Sequence, residues 1–113
     1  MESFRFHLGN AYRIPCGQGQ CFTIGIHEVA VIRSSDGHLF AIENRCPQGG
    51  ALADGVVNEF KIACPLHDHS FDLHTGLGST SGERVRRFKV WEENGNILLL
   101  FVFPEGMVSN HSR

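Results

Sequence analysis

The chain has 113 residues, of which 42% are hydrophobic and 19% charged, and its formal net charge is −2. That length and balance fit one folded domain around one core rather than a disordered segment. The charge gives no basic footprint for nucleic acid or an anionic membrane, and no stretch approaches the ~18 consecutive apolar residues of a membrane span.

Residues 1–7 carry an early acid and no apolar signal core, so a cytoplasmic location is expected. There Cys16, Cys21, Cys46 and Cys64 are expected to be reduced, which favours metal binding or catalysis over disulfides. Cys16 and Cys21 frame a Gly-rich turn and are read as turn and strand-start residues. Phe22, Ile24 and Ile26 alternate with Thr23 and Gly25, the pattern of a half-buried strand. Residues 29–32 form a more fully apolar run, Asp36-Gly37 marks a tight turn, and residues 39–42 return. Residues 49–54 hold at most a helical turn, because their glycines oppose anything longer. Short strands at 60–63 and 70–73 flank Cys64, and a last hairpin joins 85–91 to 97–103 around Glu92-Glu93-Asn94-Gly95-Asn96. The expected fold is therefore all-β, a sandwich or barrel. One domain over 1–103 is followed by a loose tail over 104–113. His7, His27, His38, His74 and His111 are read as surface or hairpin residues, and Arg84, Arg86 and Arg87 as a solvated strand edge.

Chemistry concentrates in Cys46-Pro47-Gln48-Gly49-Gly50 and Cys64-Pro65-Leu66-His67, written C-x-Q, fifteen residues, C-x-x-H. Pro47 and Pro65 stiffen the turn after each sulfur, while Gly49, Gly50 and Gly55 permit close backbone approach. Soft thiolates and a neutral imidazole are ligands suited to iron–sulfur chemistry. His69 offers a further nitrogen if its loop bends. A tetrahedral zinc site from Cys46, Cys64, His67 and His69 is the competing reading, with two histidines awkwardly close for closure.

Four segments carry a family resemblance: Asn44-Arg45-Cys46-Pro47, Gly49-Gly50-Ala51-Leu52-Ala53-Asp54-Gly55, Cys64-Pro65-Leu66-His67-Asp68 and Phe71-Asp72-Leu73-His74-Thr75-Gly76. They resemble the Rieske [2Fe–2S] superfamily across nearly the whole chain. The resemblance implies a β-sandwich with a small cluster-binding subdomain of two loops, and single-electron transfer. It makes Cys46 and Cys64 the thiolate ligands and His67 one imidazole, with Gln48 standing where the second imidazole belongs. Within the superfamily the chain looks most like the small subunit of assimilatory NAD(P)H-dependent nitrite reductase. The lead-in Glu43-Asn44-Arg45 points there. So does the run from Leu77 to Glu83, which lacks the Pro that ferredoxins of ring-hydroxylating dioxygenases carry. That likeness implies a large sirohaem- and FAD-bearing partner subunit, and no substrate site in this chain. A cluster-depleted accessory subunit, a free-standing Rieske ferredoxin supplying an oxygenase, and a zinc-stabilised binding module are the other expectations.

Overall fold

The computed structural model describes residues 2–46, 49–66, 69–79 and 82–103. Among these residues nine strands lie in the order β1 (Glu2–Asn10), β2 (Gly19–Ile24), β3 (His27–Arg33), β4 (Leu39–Glu43), β5 (Val56–Asn58), β6 (Lys61–Ala63), β7 (Ser70–Asp72), β8 (Arg87–Glu93) and β9 (Asn96–Phe103). Two 3-10 turns, Ala11–Arg13 and Leu52–Asp54, are the helical pieces among the described residues. A six-stranded sheet runs β1-β9-β8-β4-β3-β2 and a three-stranded sheet runs β5-β6-β7, with antiparallel pairing throughout. The all-β expectation holds, and the Leu52–Asp54 turn falls where the sequence allows one. No helix among the described residues is long and apolar enough to cross a membrane. The expected tail over 104–113 lies outside the described residues.

β3 explains why residues 29–32 are apolar without alternation. Successive side chains of a strand face opposite ways, and here both directions are filled. Val29 and Val31 enter a core with Ala41, Ile97, Leu99 and Phe101. Ala30 and Ile32 enter a second core with Phe40, Ile42, Ile62, Phe71 and the two loop cysteines. The second core joins the large sheet to the small one. The small sheet is thereby fixed against the large one through packed side chains, and it presents the Cys64 loop while the Cys46 loop leaves β4 of the large sheet.

Turn chemistry sets the register. Asn94 and Gly95 both have positive φ, +54° and +78°, between the paired Glu93 and Asn96. A two-residue hairpin of this mirror-image turn type needs left-handed backbone at both central positions, which Asn-Gly supplies with little strain. At the β3–β4 hairpin, the Ser34 amide donates to the His38 carbonyl at 2.8 Å and Gly37 has φ +97°.

Three readings change. β1 was not foreseen; Phe4, Phe6 and Leu8 have period two, and they pair along β9 with Phe4 opposite Phe101 and Phe6 opposite Leu99. Arg86 is not a solvated edge residue: it is half-buried, its guanidinium lies 4.8 Å from the Phe88 ring and 5.0 Å from the Phe101 ring, and it donates to the Val102 carbonyl. A weakly hydrated planar cation stacks on aromatic faces where an ammonium would stay in water. His27 is also more than a surface residue: it is half-buried, with its ring 4.9 Å from Phe101, whereas His74 is exposed as expected, its ring resting 4.9 Å from Phe40 and 4.6 Å from Phe60.

Candidate metal centre

The first loop leaves β4 through Asn44, a buried polar residue that builds the floor of the site. Its amide donates to the Glu28 carbonyl at 3.0 Å, its side-chain amide donates to the Glu28 carboxylate at 3.3 Å, and its Oδ1 accepts from the Ala53 amide at 2.7 Å. These bonds fasten the 3-10 turn beneath the loop. The Gly49 amide donates to the Cys46 carbonyl at 2.7 Å, and the Cys46 amide donates to the Gly50 carbonyl at 3.0 Å. Gly49 and Gly50 sit at φ +95° and +110°, where a Cβ is strained.

The second loop caps the β6–β7 hairpin. Ala63 pairs with Ser70, and the Cys64 amide donates to the His69 carbonyl at 2.8 Å, carrying the ladder one step past the strands. The loops touch: Cys64 Sγ lies 3.5 Å from the Gly49 carbonyl oxygen, within reach for a thiol donor. A Cβ at position 50 would stand 3.2 Å from that sulfur and 3.4 Å from Leu66 Cδ1, so glycine is what lets the loops close. Cys46 is fully buried, Cys64 is 6% exposed, and Leu66 on the second loop is 69% exposed. The sulfurs thus sit in apolar packing beneath a surface-exposed loop.

The other expected donors divide. Gln48 and His67 lie outside the described residues. His69 is described, and its Nδ1 lies 2.9 Å from Glu83 Oε1, with side-chain exposures of 20% and 13%. Among the described residues no three or more His, Cys, Asp or Glu gather as a single-ion site, so Cys46, Cys64 and His69 do not form one. Cys16 and Cys21 are exposed, in the turn and strand start expected of them. Partial burial and then the nearby Glu28 charge push the Cys21 thiol up, away from the thiolate a metal needs.

Glu83 and Asn44 were missed by sequence reasoning. Asn44 sat inside a noted motif with no hint of its burial. Glu83 gives no local signal, since its partner lies fourteen positions earlier in the chain. The segment that brings it there folds back on β7. Phe71 bridges Gly78 and Leu77 bridges Arg84, the Ser79 amide donates to the Ser70 carbonyl at 2.8 Å, and the Gly78 amide donates to the Glu83 carbonyl at 2.9 Å.

Chemically, the described part of the site fits the thiolate half of an iron–sulfur centre. Two thiols are shielded in one core, on loops whose glycines leave no side chain between them. Both are soft donors suited to iron bridged by sulfide.

Comparison with known proteins agrees with that chemistry. A family model described as a Rieske-like [2Fe-2S] domain matches residues 6–99. The ferredoxin component of a naphthalene 1,2-dioxygenase system from Pseudomonas aeruginosa is 36% identical over 91 residues, 78% of this chain and 86% of that protein. The ferredoxin of carbazole 1,9a-dioxygenase from Nocardioides aromaticivorans superposes with a TM-score of 0.75 at 28% identity, over 84% of this chain and 95% of that one. A Mycobacterium tuberculosis protein named as an NADH-dependent nitrite reductase small subunit superposes with a TM-score of 0.83, over 92% of this chain and all of that one. Its identity is 18%, and the likeness there is one of fold.

Proposed function

Because the chain belongs to the Rieske-like [2Fe-2S] family, we propose that it is a ferredoxin-type one-electron carrier whose cluster is held by Cys46, Cys64 and His67 and whose partner is an oxygenase. Electron transfer and the [2Fe–2S] cofactor come with the family. The ligand set and the partner are the proposal. The observation that supports the two thiolates is the contact between the loops, with Cys64 Sγ 3.5 Å from the Gly49 carbonyl and both thiols in one core, while His67 rests on the resemblance of Cys64-Pro65-Leu66-His67 to the family's loop. The partner rests on the 36% identity to a dioxygenase ferredoxin component.

When bound, such a cluster stores and releases one electron, at ~ −150 to +300 mV where two imidazoles ligate one iron. The chain's own residues hold and shield. Cys46 and Cys64 supply anionic sulfur from an apolar core that keeps water away from the thiolates, with Ile62 and Phe71 packed in the same cluster. Gln48 stands in the position of the second imidazole, and a neutral amide oxygen is a weaker donor to iron than an imidazole nitrogen. We infer that this weakens cluster retention.

A second reading, the small subunit of a nitrite reductase with a large sirohaem- and FAD-bearing partner, is favoured by one feature. The segment after Gly76 contains no Pro and is tied to β7 by backbone hydrogen bonds instead. A cluster-depleted accessory role belongs with this reading.

Iron and acid-labile sulfide per chain, with EPR of the dithionite-reduced protein purified without oxygen, test the ligand proposal. Iron and sulfide in a one-to-one ratio, at fewer than two of each per chain, and a Rieske-type spectrum are expected. Colourless protein free of iron and sulfide overturns it. Reoxidation of the reduced protein by a purified ring-hydroxylating oxygenase, and not by a sirohaem nitrite reductase subunit, is the result expected for the partner; the reverse result selects the second reading.

A further inference from the structure

We propose that an arginine-walled groove beside the first ligand loop is the docking surface for an acidic segment of the redox partner. Arg45 and Arg84 are its exposed contacts, and Arg86 and Arg87 its fixed wall. The inference deepens the reading of the chain as an electron carrier for an oxygenase, and it rests on that reading for the partner's identity.

The lining of the groove includes Glu43, Thr75, Gly82, Arg84, Arg86 and Arg87, and it holds about 590 Å3, room for several side chains rather than one ion. An adjoining cleft shares Glu43 and Arg86 and adds Arg45. Four of the chain's ten Lys and Arg residues thus gather on one surface, although the net charge is −2.

The walls are built. The Glu43 amide donates to the Arg86 carbonyl at 2.9 Å, and the Arg86 amide donates to Glu43 Oε1 at 2.8 Å. Arg87 Nε donates to the Leu73 carbonyl at 3.2 Å, and the Val85 amide to the Gly76 carbonyl at 2.8 Å. Gly76 has φ +80°, and a Cβ there would meet the Val85 carbonyl and stand 3.2 Å from Arg87 Cγ. Glycine is what lets the Arg87 stem lie along the wall.

These cations are held without being neutralised. A guanidinium carries five donors. Arg86 and Arg87 each spend one on a carbonyl, of Val102 and Leu73. Arg45 and Arg84 are exposed, and neither side chain makes a hydrogen bond among the described residues. The acids of the two clefts are Glu43 and Glu28, and Glu28 Oε1 accepts from Asn44 Nδ2 at 3.3 Å. Four guanidiniums against two carboxylates leave a local excess of two positive charges. Planar forks match carboxylates two bonds at a time, which a lysine cannot do. A basic groove on a chain of negative net charge favours a compact acidic segment over a long polyanion, which the rest of the surface would repel. Its place suits electron transfer: Glu43 ends β4 where the first ligand loop departs, and Arg45 adjoins Cys46.

Octaglutamate, labelled for fluorescence anisotropy, probes the groove without any partner protein. The full chain as purified is compared with Arg45→Gln/Arg84→Gln and with Arg5→Gln/Lys61→Gln, which removes two exposed charges elsewhere. Saturable binding is expected at about 50 mM salt and its loss at about 500 mM. The groove variant is expected to bind about tenfold more weakly, and the other variant within about twofold of wild type. Equal weakening in the two variants, or no saturable binding, overturns the groove. Tighter binding of a single-stranded oligonucleotide to the same arginines overturns the choice of a carboxylate partner. The second readout is the rate at which the reduced chain passes its electron to a purified ring-hydroxylating oxygenase. At about 50 mM salt the groove variant is expected to be about tenfold slower than wild type, and the two are expected to converge at about 500 mM. Equal rates at both salt concentrations overturn the docking role. An oxygenase that takes no electron from wild type, while octaglutamate still discriminates the variants, sinks the oxygenase reading and leaves the acid-binding groove standing.

Discussion

Gly50 combines two requirements in one residue: a φ of +110° and a sulfur 3.2 Å from where a Cβ would be. Gly50→Ala is expected to destabilise the chain by about 1–3 kcal/mol and to lower iron per chain, measured by urea unfolding and iron assay. Gln48→His restores an imidazole and is expected to raise iron and sulfide per chain; no gain would show that position 48 is not what limits retention. Asp36 provides a pH test. Its carboxylate accepts from the Ser34 hydroxyl and pairs with His38 Nδ1 at 2.9 Å, and these bonds, the Ser34 one foremost, hold its pKa below the usual value of 3.8. A depressed folded pKa means that the contribution is present above the unfolded value and is lost as pH falls through the folded one. Thermal unfolding of wild type is therefore expected to fall more steeply than that of Asp36→Asn as pH drops below about 4. At this scale the two sulfurs were legible, because Cys-Pro turns with nearby glycines are a local pattern. Glu83 and Asn44 were not, because a carboxylate and an amide show their purpose only through partners brought near by folding.

Among the elements, the end of β3 depends on Arg33. Its Nε donates to the Ile14 carbonyl at 2.6 Å, Nη1 to the Gly37 carbonyl at 2.8 Å and Nη2 to the Ala11 carbonyl at 2.9 Å, while Nη1 also pairs with Glu92 at 2.8 Å. One 12%-exposed side chain thus ties together the first 3-10 turn, the stretch before β2, a hairpin tip and β8. Arg33→Ala leaves several carbonyls unpaired and is expected to reduce unfolding free energy by about 2–4 kcal/mol. Arg33→Lys keeps the charge but loses the planar fork and is expected to recover little of that. Denaturant melts of the two variants check both. Strands β2, β3, β4, β6, β7, β8 and β9 were legible within a few residues from period and turn chemistry. β1 went unseen although Phe4, Phe6 and Leu8 alternate with Arg5 and His7, because the alternation spans only five residues and stops at a bulge between His7 and Gly9. β5 is three residues long, and with Val56 68% exposed beside the half-buried, core-facing Val57 its two adjacent valines show no alternation.

At the scale of the molecule, two cores share β3, and the ligand loops belong to only one of them. Phe71 is fully buried in that core and links the small sheet to Ile32 and Ile42 of the large one. Phe71→Ala is expected to remove about 3–5 kcal/mol of stability and to loosen the small sheet first, seen as faster amide exchange in β6 and β7 than in β9. The overall architecture was legible because all-β patterning with two Cys-Pro loops narrows the alternatives. The division into two cores was not, since an unbroken apolar run says that both faces are covered without saying by what.

The burial of Cys46 and Cys64, against the exposure of Cys16 and Cys21, has a consequence for handling and for the cell. An electrophile such as iodoacetamide meets two sulfhydryls at once and finds the other pair only when the hairpin loops part. Air or peroxide would likewise spend itself on the outer pair, so the ligand sulfurs can wait for metal with a guard that packing alone provides.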